Sequence, residues 1–168
     1  MASILFACQE KQEKSAAIEK TDVQNEKFDY LSEEFADIKI LRYQVPGFEQ
    51  LSLNQKKYVY YLSQAGLAGR DIMYDQNYRY NLRIRRALET VYKKFEGDKS
   101  SDNWRSFETY LKRIWFANGI HHHYSNDKFI PEFSKEYLTS LLKETGTVLE
   151  GEALEVIFSE KDGKKVNL

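Results

Sequence analysis

The histidines of this chain stand side by side, at His121, His122 and His123, within the stretch NGIHHHYSN. Adjacent imidazoles could ligate a metal, contribute to a binding surface, or occupy a polar turn. In an extended segment His121 and His123 would project to one side. Two ligands are too few for zinc, because structural sites use four and catalytic sites use three plus an open position. Asp127, Glu132 or a residue from elsewhere would have to complete the site, and no HExxH motif occurs.

The same stretch could also be read as a nucleophilic site or as a structural turn. Ser125 follows Tyr124 and lies near His123 in sequence, but a triad also needs a third group and oxyanion donors, which cannot be identified. As a structural turn, imidazoles after a helix C-terminus interact favourably with the negative end of the helix dipole. We prefer a third interpretation: a turn rich in His, Tyr, Asn and Ser is a hydrogen-bonding surface for a peptide or a small polar ligand.

Composition limits the classes of function that this chain can perform. Its 168 residues suffice for one domain, with or without a tail. Lysine and arginine number 25 against 26 acidic residues, giving a net charge of −1, so the long-range basic field typical of nucleic-acid binding is missing. The single cysteine, Cys8, excludes an internal disulfide and a cysteine-rich zinc site.

The N-terminal residues, MASILFAC, resemble the lipobox of bacterial lipoproteins, in which a cysteine after a small residue becomes lipidated. A basic n-region is absent and the apolar run is short for a secretory signal. We therefore expect residues 1–27 to be a truncated lipoprotein-type signal followed by a disordered tether, with Cys8 as the lipidation site. The alternative is a disordered tail with an incidental cysteine.

Elements that would position the histidine turn are predicted from apolar spacing. Between Phe28 and the VPG at 45–47, apolar residues step at helical intervals, which predicts a first helix on Leu31, Phe35, Ile38 and Leu41. The segment after the VPG carries a second row of mainly apolar residues at helical spacing, here called a stripe: Tyr58, Tyr61, Leu62, Ala65, Gly69, Ile72 and Met73. Glycine inside a helix costs about 1 kcal/mol, so Gly66 and Gly69 indicate close approach of another backbone. A helix break near Gly69 is the alternative.

Further helices are predicted after residue 77. Their apolar positions are Ile84, Leu88, Val91 and Phe95, then Trp104, Phe107, Leu111, Ile114 and Trp115, then Tyr137, Leu138, Leu141 and Leu142, and finally Ala153, Leu154, Ile157 and Phe158. Asp102 is expected to cap the second of these helices, which should end at Asn118-Gly119. No strand and no repeat is predicted, so the fold class is mainly α. Some apolar faces are expected to be complementary to elements outside this chain.

Two long segments resemble the N-terminal region of bacterial dipeptidyl peptidase III enzymes. Their sequences are LSLNQKKYVYYLSQAGLAGRDIMYDQN and YLKRIWFANGIHHHYSNDKFIPEFSKEYL. These are zinc exopeptidases that remove dipeptides from peptide N-termini. The resemblance extends from about Phe28 to the C-terminus. It implies that residues 28–168 are the helical N-terminal part of a two-lobed α/β metallopeptidase.

The resemblance also implies which part of the enzyme binds zinc and which part binds substrate. In the family, zinc is bound by an HExxGH helix and a further glutamate, both downstream of this region, and this chain contains neither. No catalytic residue and no metal ligand is therefore expected here, and zinc would belong to the complete enzyme. The stretch corresponding to NGIHHHYSNDKF lines the family's substrate cleft. Carried over by position, the expected substrate contacts are Asn118, Gly119, His123, Tyr124 and Ser125, with Tyr124 in the place of an aromatic cleft residue. His121 and His122 receive no role.

Three hypotheses follow. The first is the N-terminal segment of a zinc-dependent dipeptidyl aminopeptidase, inactive alone, whose partners are an oligopeptide substrate and the remainder of the peptidase polypeptide. No nucleic acid is expected, and a membrane only through a lipid on Cys8, which would place the protein in the bacterial cell envelope or periplasm. A cytoplasmic location is the alternative. The second hypothesis is a stand-alone helical lipoprotein that binds peptides or a protein partner, and the third is a small metal-binding protein.

Overall fold

A computed structural model describes residues 28–164 and confirms that this part of the chain is mainly helical. The expectations for Cys8 and the N-terminal tether lie outside the described residues. Besides one short 3-10 turn at Phe48–Gln50, the elements are β1 Leu31–Phe35, β2 Ile38–Leu41, α1 Leu53–Ala68, α2 Arg70–Asn77, α3 Asn81–Lys94, α4 Asp102–Ala117, α5 Lys135–Glu144 and α6 Glu152–Phe158.

The first predicted helix is wrong, as is the prediction that the chain contains no strand. Residues 31–41 form an antiparallel hairpin in which Phe35 pairs with Ile38. The chain reverses at Ala36, whose φ is 50°. Beyond the turn, Ile38 and Ile40 alternate with exposed Lys39, a period of two that suits a half-buried strand. The hairpin contacts α4 through ion pairs, such as Lys112 with Glu33 at 2.6 Å.

The second predicted stripe is divided at Gly69, as the alternative prediction had it. Helix α1 begins with a capping box, in which Ser52 and Gln55 satisfy each other's backbone N–H groups. The expected close approach of a backbone to Gly66 is wrong for the described chain, since a Cβ there would meet nothing within 4 Å. No residue of α1 is buried among residues 28–164, and Tyr61 is 68% exposed.

The other four predicted stripes lie in the core, where α3, α4, α5 and α6 pack together. Ile84, Leu88, Phe107 and Leu111 are fully buried. The stripe on α4 is confirmed, but its N-cap is Ser101, whose side chain accepts a hydrogen bond from the backbone N–H of Trp104, so the expectation of Asp102 as the cap is wrong. Burying each large apolar side chain contributes about 1.5–3 kcal/mol, which makes this group of helices the stable part of the fold.

Helix α2 is fixed to α3 by a network of charges around Arg85, which is 4% exposed. Its Nη1 donates to Asp71 Oδ1 at 2.6 Å, while Arg86 donates to the other oxygen of the same carboxylate at 2.8 Å. The hydrogen bond from Arg86 and, to a smaller extent, the hydrogen bond from Arg85 hold the pKa of Asp71 below its ordinary value. Arg85 Nε also lies 3.0 Å from Glu89 Oε1, close enough for an ion pair although not aligned for a hydrogen bond.

Within residues 28–164, no helix combines the length and the apolar composition needed to cross a membrane.

Candidate functional site

The histidine turn begins where α4 ends, as predicted. Asn118 adopts the left-handed conformation with φ of 55°, and Gly119 follows with φ of 150°. The chain then reverses over residues 121–128 and returns alongside itself. His122 N–H donates to Asp127 O at 2.7 Å, and Phe129 N–H donates to Ile120 O at 2.8 Å. The turn is therefore an ordered hairpin-like loop held at both sides by backbone hydrogen bonds.

Two asparagines, four residues apart, fix the start of this loop. Asn81 is 1% exposed; its Oδ1 accepts the Ile120 N–H at 3.0 Å and its Nδ2 donates to Asn118 O at 3.3 Å. Asn77 Nδ2 donates to the same carbonyl, also at 3.3 Å. A Cβ at Gly119 would lie 2.0 Å from Asn81 Nδ2, so only glycine allows the buried amide to approach this closely. Asn77 is the last residue of α2 and Asn81 the first of α3, so the break between the two helices brings both amides against one peptide segment.

A cavity of about 180 Å³ opens beside this asparagine pair. Three of the five predicted substrate contacts, Asn118, Gly119 and His123, line it. The other two, Tyr124 and Ser125, lie on the outer part of the loop, where Tyr124 is 84% exposed. The remaining lining residues are Met73, Asn77, Asn81, Ala117, His121 and His122. The Asn81 amide is used by the loop backbone, so the groups that could donate to and accept from a neutral polar ligand, such as a peptide backbone, are the Asn118 amide and the His123 ring.

The three histidines have three different environments. His121 is buried, with Nε2 at 2.8 Å from Asp162 O and its ring against the edge of Tyr78 at 5.0 Å. His122 Nδ1 accepts the backbone N–H groups of Tyr124 and Ser125, so this ring organises the turn. His123 is exposed and packs edge-on against Phe116. The polar-turn interpretation therefore describes His122, while His123 alone combines exposure with a place in the cavity lining.

Charged groups near the loop are engaged with protein atoms. Lys128 is buried, and its Nζ donates to the carbonyls of Ser159 and Lys161; burial lowers the pKa of this lysine. Asp127 forms an ion pair with Lys164 at 3.1 Å, which, with a hydrogen bond from Ser125, holds the pKa of Asp127 below its usual value. Over residues 28–164 no group of three or more His, Cys, Asp or Glu is arranged to hold a metal ion.

Sequence reasoning missed Asn77 and Asn81. The signal was present for Asn81, because it lies three residues before Ile84 and thus on the apolar stripe of α3. A polar residue on a buried face needs hydrogen-bond partners, which identifies it as a structural or functional position. Arg85 was missed as well: it is buried on the same helix, where it pairs with Asp71 and Glu89.

In comparisons with known proteins, no family model matches this chain and no curated protein matches it significantly. The resemblance to dipeptidyl peptidase III stays a prediction from the two quoted segments.

Proposed function

We propose that this chain is the N-terminal segment of a zinc-dependent dipeptidyl aminopeptidase similar to the dipeptidyl peptidase III family. It contributes substrate-cleft residues to a two-lobed α/β enzyme that releases dipeptides from peptide N-termini. The zinc ligands come from polypeptide outside this chain. The enzyme acts in the bacterial cell envelope or periplasm, anchored by a lipid on Cys8.

One observation carries the proposal that more polypeptide surrounds this segment: α1 has large apolar side chains on several sides, between polar ones, yet none of its residues is buried. Its exposed large side chains include Leu53, Tyr58, Val59, Tyr60, Tyr61, Leu62 and Leu67. Apolar side chains on several sides of a helix need neighbours on each of those sides to be removed from water. On this proposal, α1 is enclosed by the remainder of the peptidase polypeptide.

The cavity supports the substrate assignment. Helix α2 contributes Met73 and Asn77 to its lining, and the α4 C-terminus contributes Asn118. An oligopeptide presents N–H donors and carbonyl acceptors in alternation, which the side-chain amide of Asn118 can match, whereas the Asn81 amide is used to hold the loop backbone. The part played by this chain is to hold and orient the substrate, and rigid placement of a substrate is itself a large contribution to rate.

The described residues offer no group that fits zinc, so no chemical step is assigned to them. When bound in the complete enzyme, zinc would supply polarisation of the scissile carbonyl and activation of water.

The reading frame beyond Leu168 gives a direct test. An in-frame HExxGH motif is the expected result. A native stop codon after Leu168 would contradict the proposal and favour a stand-alone helical lipoprotein that binds peptides or a protein partner.

The cavity itself can be tested by kinetics in the protein that carries the downstream motif. Asn118→Gly keeps a residue suited to the left-handed conformation and removes the amide from the cavity. We expect KM for a dipeptidyl arylamide to rise about tenfold, the effect of about 1.4 kcal/mol of lost binding. The matched control is Asn126→Gly, which has φ of 61° and lies on the same loop outside the cavity lining. Equal kinetics for the two variants would exclude this cavity as the substrate site.

A further inference from the structure

A second cavity, of about 480 Å³, is lined by residues of α2, α3 and α4 and by Asn118. Asn118 lines both cavities, so the two are neighbours along the C-terminal end of α4. The volume is within the range of about 300–1,000 Å³ that is typical of small-molecule sites. This second cavity differs from the first in having aromatic walls and charged groups at its rim.

Its walls are Tyr92 and Trp115. Their rings are 5.8 Å apart with an interplanar angle of 82°, an edge-to-face arrangement that leaves a corner between two apolar surfaces. Tyr74, which is buried, donates from its hydroxyl to the Trp115 carbonyl at 3.4 Å. The corner is therefore built on side chains that pack against each other and on the buried Tyr74.

The inner carboxylate of this cavity, that of Glu89, is already neutralised. Its Oε1 accepts the Trp115 indole N–H at 2.9 Å and lies 3.0 Å from Arg85 Nε. Two cations at the rim, Arg70 and Lys93, are exposed and form no ion pair among the described residues. The uncompensated charge around the cavity is therefore positive.

We propose that this cavity binds a carboxylate attached to an aromatic or similarly flat apolar group. Arg70 binds the carboxylate through its planar fork of donors, Lys93 adds a second positive charge, and the ring occupies the corner between Tyr92 and Trp115. A cationic ligand is disfavoured by the same two side chains. This inference is independent of the proposed peptidase function, because all the groups that it uses belong to the described chain.

The test uses the full 168-residue chain with N-acetylphenylalanine as the probe and N-acetylphenylalaninamide as its uncharged counterpart. The chain contains two tryptophans, so its NMR spectrum has two indole N–H signals, which Trp115→Phe assigns. We expect the acid to shift the Trp115 signal and to leave that of buried Trp104 in place. Binding of the amide as tightly as the acid, or no shift up to the solubility limit of the acid, would overturn the proposal.

Charge variants locate the carboxylate. Arg70→Gln should weaken binding of the acid at least tenfold, and Lys93→Gln should weaken it less. Lys94→Gln is the matched control, since Lys94 is the next residue on α3 and lies outside the cavity lining. Thermal unfolding of each variant checks that it folds. Affinity unchanged in Arg70→Gln, or reduced equally in Lys94→Gln, would refute the assignment.

The carboxylate can come from a small acid or from the C-terminus of a peptide. A tripeptide ending in phenylalanine, compared with N-acetylphenylalanine, separates the two sources. Tighter binding of the tripeptide, lost in Asn118→Gly, would identify a peptide that spans both cavities. Equal affinity would identify a small aromatic acid. Binding of neither probe would contradict the proposal.

Discussion

Helices α1 and α4 have the same length, 16 residues each, and opposite environments. Helix α4 buries Trp104, Phe107, Leu111 and other residues of one face in the core, whereas α1 buries none. The difference follows from their sequences. The apolar residues of α4 form a stripe that one neighbouring layer can cover, while those of α1 lie on several sides of the helix and need neighbours on each of them. The described chain supplies those neighbours to α4 only.

Truncation of a leucine in each helix should give the largest difference in unfolding free energy between the two regions. Leu111→Ala removes a fully buried side chain and should cost about 2–5 kcal/mol of unfolding free energy. Leu62→Ala, in α1, changes a side chain that is 53% exposed and should alter stability by less than about 0.5 kcal/mol. Urea unfolding of the isolated chain measures both. Similar losses would mean that α1 is packed in solution.

A glycine substitution in each region sharpens the contrast by giving effects of opposite sign. Gly119→Ala brings a Cβ against the buried Asn81 amide, and we expect a loss of about 1–3 kcal/mol. Gly66→Ala lies in open space within α1 and should stabilise the helix by about 0.5–1 kcal/mol. Thermal unfolding gives the two signs. Destabilisation by Gly66→Ala would show that α1 has a close neighbour.

The smallest effect is expected where the hairpin meets α4. Arg113 Nη2 lies 2.8 Å from Asp37 Oδ1, and the Asp37 side chain is 67% exposed. Surface ion pairs contribute about 0–1 kcal/mol, so Asp37→Asn should cost no more than that. A double-mutant cycle with Arg113→Gln, measured at low and high salt, isolates the pair. A coupling energy above about 2 kcal/mol that does not change with salt would contradict this expectation. It would show that the hairpin is packed against α4 as firmly as the core helices are packed together.

The regions that pack within this chain were the predictable ones. Helices α3 to α6 follow from their apolar stripes, because each stripe fits one core, and the end of α4 follows from Asn118-Gly119. The hairpin was not predicted, since the spacing of Leu31, Phe35, Ile38 and Leu41 also fits a helix. The alternation of Ile38, Lys39 and Ile40 favours a strand but covers only three residues, and the contacts of the hairpin with α4 are tertiary.

The candidate site was predicted in part. The end of α4 and the loop after it were anticipated from sequence. Asn81, which bonds Asn118 O and Ile120 N–H, lies 37 residues before Asn118, and hydrogen bonds over such a separation are specified by the packing of α3 on α4. The division at Gly69 was only an alternative, because glycine is tolerated in helices and the sequence does not show whether it breaks one.

We propose that this chain holds substrate while the metal and its ligands lie elsewhere in the polypeptide. The most direct measurement is zinc-supplemented hydrolysis of a dipeptidyl arylamide by the purified 168-residue chain, with and without a chelator. We predict no release of the arylamine in either condition. Release that the chelator abolishes would contradict the claim.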